Sequence, residues 1–340
     1  MTLEVQTVEG LPSGSLRTDW ELLLDEDPAA TIFHTPRYLG LWARTLGERT
    51  TVRSRFVVRD GRTIGIIPEG HERVGSPTGP VEVLRFVGGA AVTDYTGPLS
   101  RAEDRDDVAA AYMHLLGGMR DWDEFVAGGL PADTGWVAAF VRHAQRLGLP
   151  VLEVQDEDVC PRVDITGGYD AYLSRLPSKR RHELRRKARK LEREAGELTV
   201  RELSDAELAA GVETFLNLAS ATETTKAGFF QEERMRDFFR QLSVEFSSDH
   251  IFRLHVLEVG GHPAAATVSL VWEDTWALYN SAYDSGLSAL APGMVLVGEL
   301  IRLAAREQRA VFDLLRGNEP YKYRFGPTER RLERVTIGRR

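Results

Sequence analysis

The chain has almost no cysteine and no long uninterrupted hydrophobic run. Cys160 is the only cysteine in 340 residues, which excludes an internal disulfide and a cysteine-rich metal site. A lone cysteine of this kind is usually a small buried hydrophobe, and no oriented histidine is implied near it that would make it a nucleophile. No stretch approaches the roughly 18 apolar residues of a spanning helix. The start of the chain also lacks a basic segment followed by an apolar core, so we expect no signal peptide and a cytoplasmic protein.

The short motifs of several large enzyme classes are missing as well. There is no GxSxG elbow, no Walker A loop and no HExxH pair. The eight histidines are scattered without the spacing of metal ligands, so we predict no metal.

Charge is unevenly distributed along the chain. The formal net charge of −8 argues against a general nucleic-acid binder. The segment 179–194 nevertheless holds nine Lys or Arg against three Glu, so it forms a basic island on an acidic protein. Ser178 can cap a helix there, with Leu184, Ala188, Leu191 and Ala195 as a narrow apolar stripe. Either this helix is simply solvated or its arginines bind anions, and both interpretations stay open.

The N-terminal half gives clear local signals for alternating strands and helices. Thr35 can cap a helix in which Pro36 takes the first position. The buried stripe of that helix is Tyr38, Leu41, Trp42 and Leu46. Asp60-Gly61 predicts a type I′ hairpin, because that turn needs positive φ at both residues. Further elements are predicted near Val5 and at 20–24, 83–87, 106–119, 124–127 and 136–147.

The C-terminal half repeats the plan of hairpin, strand, helix and strand. Its hairpin joins 253–259 to 264–272 across Gly260-Gly261, and residues 169–247 are predicted to be helical throughout. The repetition favours two α/β domains with mixed sheets flanked by helices. We place them at 1–155 and 156–340, with the helical segment 169–247 inserted in the second.

The last third carries the most informative order of elements. A strand at 276–283 is followed by a loop at 285–293, a helix at 294–307 and a second strand at 310–315. A loop that leaves a strand and opens a helix directs backbone N–H groups and the positive helix end at one point, which suits a phosphate or an oxyanion. Ser288 and Gly293 lie in that loop, and the cations Arg316, Lys322 and Arg324 follow the second strand.

These residues carry a resemblance to a known family. The segments concerned are APG at 291–293, FDLLRG at 312–317, EPYKYRFG at 319–326, YDAYL at 169–173 and, more faintly, FVGGAAVTDYTGPL at 86–99. They resemble the BioF2-like (CelD/BcsL) acetyltransferases of the GNAT superfamily, which are related to the FemAB-like aminoacyl transferases. The resemblance spans about 30–337 and implies two tandem GNAT-like domains. It also implies an acyltransferase, with acyl-CoA as a co-substrate and direct attack by the acceptor.

Such a reaction needs a base, an oxyanion donor and a proton for the leaving group. Asp284 and Glu319, both at strand ends beside the loop, are the candidate bases. Tyr283 and Tyr321 are candidates to protonate the leaving group. Core packing is the competing explanation, since a strand at YKYRF would put its tyrosines on one face and Lys322 with Arg324 on the other. Asp313 lies in an apolar strand and is expected to pair with Arg316 or Lys322.

Further contacts are expected on the basic helix and in the first domain. Arg181, Arg185 and Arg189 share a helix face and are candidates for phosphate binding, and the resemblance to FemAB-like proteins implies a basic helix near the substrate channel. Three residues are candidate acceptor contacts. Asp94 and Tyr95 match the TDY-like position of the family, and His34 precedes the helix capped by Thr35. A plain turn and a satisfied structural histidine are the competing interpretations.

The donor and the acceptor stay open at this point. The usual GNAT pyrophosphate loop reads Q/R-x-x-G-x-G/A, whereas this chain has SGLSALAPG at 285–293. The leading hypothesis is acyl transfer from acyl-CoA to an amine or hydroxyl of a small metabolite or glycan precursor. The first alternative is an aminoacyl-tRNA-dependent transferase acting on a natural-product or peptidoglycan intermediate, and the second is a noncatalytic binding protein of the same fold.

Overall fold

The structure is a computed structural model, and it describes residues 3–77, 79–221 and 227–339. It divides the chain into two units, one running to Val159 and including the residues from Arg330 onward, the other Cys160–Glu329. The division falls between residues 159 and 160, inside strand β7 (Val151–Asp164), which also contains the predicted boundary at 155. The residues from Arg330 onward belong to the first unit, although the sequence predicted them to be part of the second domain.

The first unit is an α/β arrangement with a mixed sheet. Its strands and helices are β1 (Leu3–Glu9), α1 (Ser15–Glu26), α2 (Pro36–Thr45), β2 (Thr51–Arg59), β3 (Arg62–Ser76), β4 (Gly79–Phe86), β5 (Leu99–Ser100), α3 (Arg105–Gly118), β6 (Glu124–Pro131) and α4 (Trp136–Leu147), with the end of β13 (Thr328–Gly338). The strand order is β1-β2-β3-β4-β6-β13, in which β4 and β6 are parallel and β13 is antiparallel to β6. The parallel pair requires the crossover that α3 provides.

Local sequence signals explain why these elements begin where they do. The Thr35 hydroxyl accepts a hydrogen bond from the Tyr38 N–H at 3.2 Å, and Pro36 takes the first helical position of α2. Asp60 and Gly61 have φ of 50° and 80°, so the β2–β3 hairpin turns as predicted.

A buried ionic network lies inside the first unit. Glu69 on β3 is fully buried and accepts hydrogen bonds from Arg55 on β2 at 2.6 Å and from the Tyr112 hydroxyl on α3 at 2.8 Å. Arg55 is itself buried and also donates to the Thr7 hydroxyl at 2.6 Å. Burial, with the Glu69 carboxylate next, raises the pKa of Tyr112 well above its usual range, so it stays protonated as the donor.

The second unit repeats the plan around its own mixed sheet. Its elements after the end of β7 are α5 (Gly168–Arg175), α6 (Ser178–Ala195), β8 (Leu198–Glu202), α7 (Asp205–Ala221), α8 (Ala227–Gln231), α9 (Glu233–Phe246), β9 (Phe252–Val259), β10 (His262–Trp272), β11 (Thr275–Tyr283), α10 (Pro292–Arg306) and β12 (Val311–Asp313). The strand order is β7-β12-β11-β10-β9-β8, and β11 and β12 are parallel. Each unit therefore contains hairpin, strand, helix and parallel strand in that order, and the predicted repetition is confirmed.

Helices pack on both faces of this second sheet. Leu278 belongs to a hydrophobic cluster with α5, α6 and α10, while the next residue, Tyr279, contacts Phe239 of α9. Successive strand residues point to opposite faces, so α9 and α10 lie on opposite sides. The prediction that 169–247 is helical throughout is wrong at β8, an edge strand that pairs with β9. The β-branched Thr199 and Val200 after Gly196 are the local signal for it.

Candidate functional site

Strand β11 is much longer than its parallel neighbour. The register with β12 covers Thr275, Trp276 and Ala277, after which the chain of β12 turns away. Leu278 to Tyr283 continue beside β10 on the other side, with a register shift that makes Tyr279 an extra residue on β11. An edge of this kind can hydrogen-bond an extended ligand, and β-bulges are frequent next to active sites.

The loop after β11 is built by its own backbone. The Asp284 carboxylate accepts a hydrogen bond from the Gly286 N–H at 2.9 Å and caps a short 3-10 helix, Ser285–Leu290. Asp284 and Ser288 are exposed. The role that the structure gives Asp284 is that of a cap, although its exposure leaves the carboxylate accessible.

The helix α10 begins directly after a strained residue. Ala291 has φ of 54° and ψ of 53°, a left-handed conformation that costs a residue with a Cβ about 1–2 kcal/mol. Pro292 follows at the first helical position, and a Cβ added at Gly293 would lie 3.5 Å from the Tyr283 ring. Strain held in place by its surroundings is typical of ligand-binding segments.

The segment after β12 is held by a buried lysine. Lys322 is 3% exposed, and its Nζ donates to the carbonyl oxygens of Leu315, Arg316 and Gly317 at 3.0, 2.7 and 3.2 Å. Its ion pair with Glu319 has an N–O distance of 2.9 Å. All three ammonium protons are therefore used inside the protein. The prediction that Lys322 contacts a bound anion is replaced by a structural role, and the carboxylate of Glu319, proposed as a base, is the counter-ion of Lys322.

Asp313 completes this arrangement from the strand side. Its carboxylate accepts a hydrogen bond from the Leu315 N–H at 2.8 Å, and Arg162 on β7, directly opposite in register, lies 3.5 Å from it. Leu315 is buried with φ of 55°, held by Asp313 at its N–H and by Lys322 at its carbonyl. The sequence predicted Arg316 or Lys322 as a partner of Asp313. Arg162 is a partner that it did not predict, because this pairing depends on sheet register.

The tyrosines of this segment lie in a helix and not in a strand. Residues Lys322–Phe325 form a 3-10 helix, so the predicted alternation of faces in YKYRF is wrong. The Tyr321 hydroxyl shares a hydrogen bond with the side chain of Ser281 on β11. Burial, followed by the nearby Glu319 carboxylate, raises the pKa of Tyr321 to about 12. The Tyr321 hydroxyl is thus protonated and contacts β11 in the segment that no longer pairs with β12. Ser281 is a residue of the candidate site that was not predicted from the sequence.

The arginines of the basic helix α6 differ in their contacts and exposure. Arg181 donates to the carbonyls of Leu173 and Leu176 at 3.1 and 2.7 Å, so it caps the end of α5 and the prediction of a phosphate contact is not supported for it. Arg185 and Arg189 are exposed. Arg324 is exposed and pairs with Glu183 of α6 at 3.5 Å, and Arg316 is half-buried, with its carbonyl bound by Lys322.

The apolar stripe of α6 places this helix beside the candidate loop. Leu184, Ala188 and Leu191 pack in one cluster with Leu287 and Leu290 of the 3-10 helix. The structure therefore brings α6, the loop and the start of α10 together in one unit.

The candidate acceptor contacts of the first unit are largely buried. Tyr95 is 1% exposed and lies under the Arg330 guanidinium, 5.2 Å from its ring centroid. His34 is buried, and its ring is hydrogen-bonded to the backbone of Thr31 and Thr96. These placements correct the prediction for His34 and Tyr95, which have structural roles. Asp94 is half-buried.

His34 is expected to contribute to the pH dependence of stability. Burial, with a further contribution from Arg330, lowers its pKa from 6.5 to about 4. The unfolded chain takes up this proton first as the pH falls, so the stabilisation is complete above pH 6.5 and is lost between pH 6.5 and about 4. We expect replacement of His34 by Asn, whose amide oxygen can accept from Thr31, to reduce the loss of unfolding free energy between pH 8 and pH 5 by about 2 kcal/mol. Urea unfolding at both pH values measures this, and an unchanged pH dependence would contradict it.

A separate cavity of about 280 Å³ opens at the start of α6. Its lining is Asp164, Tyr172, Arg175, Leu176, Pro177, Arg180, Gly326, Pro327 and Thr328, a set distinct from the candidate residues above. Two arginines, Arg175 and Arg180, line this cavity. Arg175 donates hydrogen bonds to the carbonyls of Asp164 and Thr166.

Two further findings concern the described residues as a whole. Within 3–77, 79–221 and 227–339, no three His, Cys, Asp or Glu side chains are grouped as a metal site would need. No helix in these same ranges combines the length and the apolar character needed to cross a bilayer.

Comparison with known proteins gives a family-model match within the second unit and structural matches over nearly the whole chain. Residues 178–323 match the family model of an acetyltransferase (GNAT) domain. Solved structures with the same fold include FemX (9% identity, TM-score 0.67, 96% of each chain covered). They also include L-PGS from Bacillus licheniformis (13%, 0.55, 96% of this chain and 92% of that one) and a tandem GNAT protein from the clavulanic acid biosynthesis pathway (14%, 0.53, 98% of each). No curated protein matches the chain significantly.

At these identities the likeness establishes the fold. The chain has a tandem GNAT-type α/β architecture, of the kind shared by FemX, over nearly its full length. The predicted fold class is confirmed, while the narrower BioF2-like relationship stays a prediction.

Proposed function

We propose that this protein is an acyltransferase that moves an acyl group from an activated donor, acyl-CoA, to an amine or hydroxyl of a small metabolite or glycan precursor. The single observation that carries the proposal is the divergence of β11 from β12 beyond Ala277, with α10 opening from the same end of β11. The GNAT family match over 178–323 includes all of these elements and supports the same chemistry.

The geometry suits a thioester donor in three ways. The amide groups of an extended pantetheine arm can pair with the open edge of Leu278–Tyr283. We place the phosphates at the start of α10, where the helix dipole favours an anion. The dipole is the main contribution there, because Pro292 has no N–H and the N–H groups of Met294 and Val295 bond to the Ala291 carbonyl. The Tyr321 hydroxyl lies on the same part of β11 and can donate a proton to the leaving thiolate.

Calorimetry with acetyl-CoA and longer acyl-CoAs tests the donor. We expect binding, and we expect Ser288→Glu to weaken it at least tenfold, because a carboxylate in the loop repels phosphate. Ser248→Glu is the matched control, since this exposed serine precedes β9 at the end of the sheet opposite to Asp284. If no acyl-CoA binds the unmodified protein, acyl-CoA is not the donor.

Tyr321 is the residue on which we expect the largest effect on turnover. Tyr321→Phe keeps the ring and removes the proton donor, so kcat should fall by roughly 10²–10⁴-fold while the affinity for the donor is unchanged. Tyr323→Phe is the control, because its hydroxyl bonds the exposed Glu329 carboxylate. Equal activities of the two variants in steady-state assays would remove Tyr321 from the mechanism. If no transfer is found and variants at Asp284, Glu319 and Tyr321 all keep the cellular function of the protein, a noncatalytic binding protein is favoured.

An aminoacyl-tRNA donor is the second candidate, favoured by the exposed Arg185 and Arg189 of the nine-cation helix and by the fold shared with FemX. Each phosphate contact with RNA releases counterions, so such binding would fall steeply with salt. Transfer of a labelled amino acid that is abolished by RNase would establish this donor. Transfer that survives RNase would exclude it.

A further inference from the structure

A row of polar side chains crosses the second sheet in register. Glu202 on β8 is paired with His255 on β9, His255 with Thr267 on β10, and Thr267 with Ser281 on β11. Paired residues lie on the same face of a sheet, and the Tyr321 hydroxyl is hydrogen-bonded to Ser281. These five residues, here called the polar row, therefore lead from the candidate site to the far edge of the sheet.

The middle of the polar row is buried and its ends are open. Thr267 is 0% exposed and His255 is 1% exposed, whereas Ser281 is exposed and the Glu202 side chain is 35% exposed. Among the described groups, none hydrogen-bonds the Thr267 hydroxyl or either ring nitrogen of His255. The same holds for the Ser269 hydroxyl, two residues along β10 on the same face. The Glu202 carboxylate is 3.5 Å from His255 Nε2.

Buried polar atoms without partners call for a physical explanation. More than about 90% of such groups are bonded in folded proteins, and leaving them orphaned is costly. Opposite Cβ atoms on neighbouring strands are about 4.5–5.5 Å apart, so two side chains that make no direct hydrogen bond, such as those of Thr267 and His255, can share one water molecule. The register places Thr267 between His255 and Ser281, so a water beside its hydroxyl has neighbouring polar side chains as further partners.

We propose that the polar row holds ordered water and carries protons between the Tyr321 hydroxyl and solvent at Glu202. This inference rests on the proposed function and deepens it. As the bond from the acyl carbon to nitrogen forms and the bond to sulfur breaks, Tyr321 gives its proton to the thiolate. A proton from solvent at Glu202 passes through His255 and Thr267 to restore Tyr321, and the proton lost by the attacking amine leaves to solvent.

The charges around the row are compatible with this role. Arg253 bonds both Glu202 and Glu307, so the outer end is an ion cluster that is accessible to solvent. Burial lowers the pKa of His255 to about 4, which keeps the ring neutral at pH 7, with one nitrogen to donate and one to accept.

Thr267→Val tests the water independently of any activity. Valine has nearly the same shape and removes only the hydroxyl. If water fills the row, we expect fewer long-lived internal waters by magnetic relaxation dispersion and a lower urea midpoint, because the remaining polar atoms lose a partner. Thr199→Val, on the exposed edge strand β8, is the control and should change neither. A raised midpoint with an unchanged water count would show a dry row and overturn the proposal.

The transfer reaction tests the relay itself. Thr267→Val should lower kcat about tenfold with KM for the donor unchanged, a smaller effect than that of removing the acid itself. It should also raise the solvent deuterium isotope effect, and Thr267→Ser should restore both. Unchanged kcat in Thr267→Val would overturn the relay while the proposed function stands. If the unmodified protein transfers no acyl group, the proposed function and the relay are both overturned. Whether the polar row holds water is still decided by relaxation dispersion and urea unfolding of Thr267→Val.

Discussion

Lys322→Met is expected to lower the free energy of unfolding by about 3–5 kcal/mol, because it removes a buried cation and leaves its partners unpaired. Three carbonyl oxygens converge on the ammonium, and the ion pair to Glu319 is lost with it. Leu315 would also lose one of the two contacts that hold its left-handed conformation. Urea unfolding followed by circular dichroism measures the change.

Lys322→Arg should not restore this stability. A planar guanidinium cannot direct three donors at three carbonyls grouped around one point. Arg324→Met is the control, since the Arg324 side chain is 54% exposed and its loss should cost no more than about 0.5 kcal/mol. A Lys322→Met variant with normal stability and lost donor affinity would instead reinstate Lys322 as an anion contact.

Glu69→Leu is the second change with a large expected effect, again a loss of about 3–5 kcal/mol. It leaves the buried Arg55 guanidinium without its carboxylate and the Tyr112 hydroxyl without its acceptor. The pair as a whole is not expected to be stabilising, because burying both charges costs about as much as their attraction returns. The double variant Arg55→Met, Glu69→Leu should therefore recover most of the loss.

A double-mutant cycle on urea unfolding makes that comparison directly. Strong coupling between the two positions is the expected result. If the double variant is as unstable as the sum of the single ones, the two side chains act independently and the network is not the source of stability. Thr63→Val is a suitable control outside the buried network, because the Thr63 hydroxyl donates to the Asp19 carboxylate in a partly exposed position.

Local chemistry in the sequence predicted most of the elements. The Thr35 cap, the Asp60-Gly61 turn and the Gly260-Gly261 turn act within a few residues of chain, so their outcome does not depend on the rest of the fold. Strand β8 was missed because a short edge strand between helices is determined by its pairing with β9.

The secondary structure of the candidate site was predictable, whereas the contacts of its side chains were not. The order of strand, loop, helix and strand identified the segment from β11 to β12 correctly. The roles of Lys322 and Arg181 were not predictable. The sequence does not show whether a cationic side chain binds a phosphate or backbone carbonyls of the same chain. Ser281 and Thr267 were missed for a related reason, since only the register of four strands aligns them.

Strand β13 determines how the chain can be divided experimentally. Its residues Leu332 to Gly338 hydrogen-bond to β6 of the first unit, although nearly 200 residues separate the two strands in sequence. A fragment that ends near residue 155 would expose an unpaired β6 edge, which is a known hazard for aggregation. An isolated first unit is better obtained by joining its two segments through a short linker in place of 160–329.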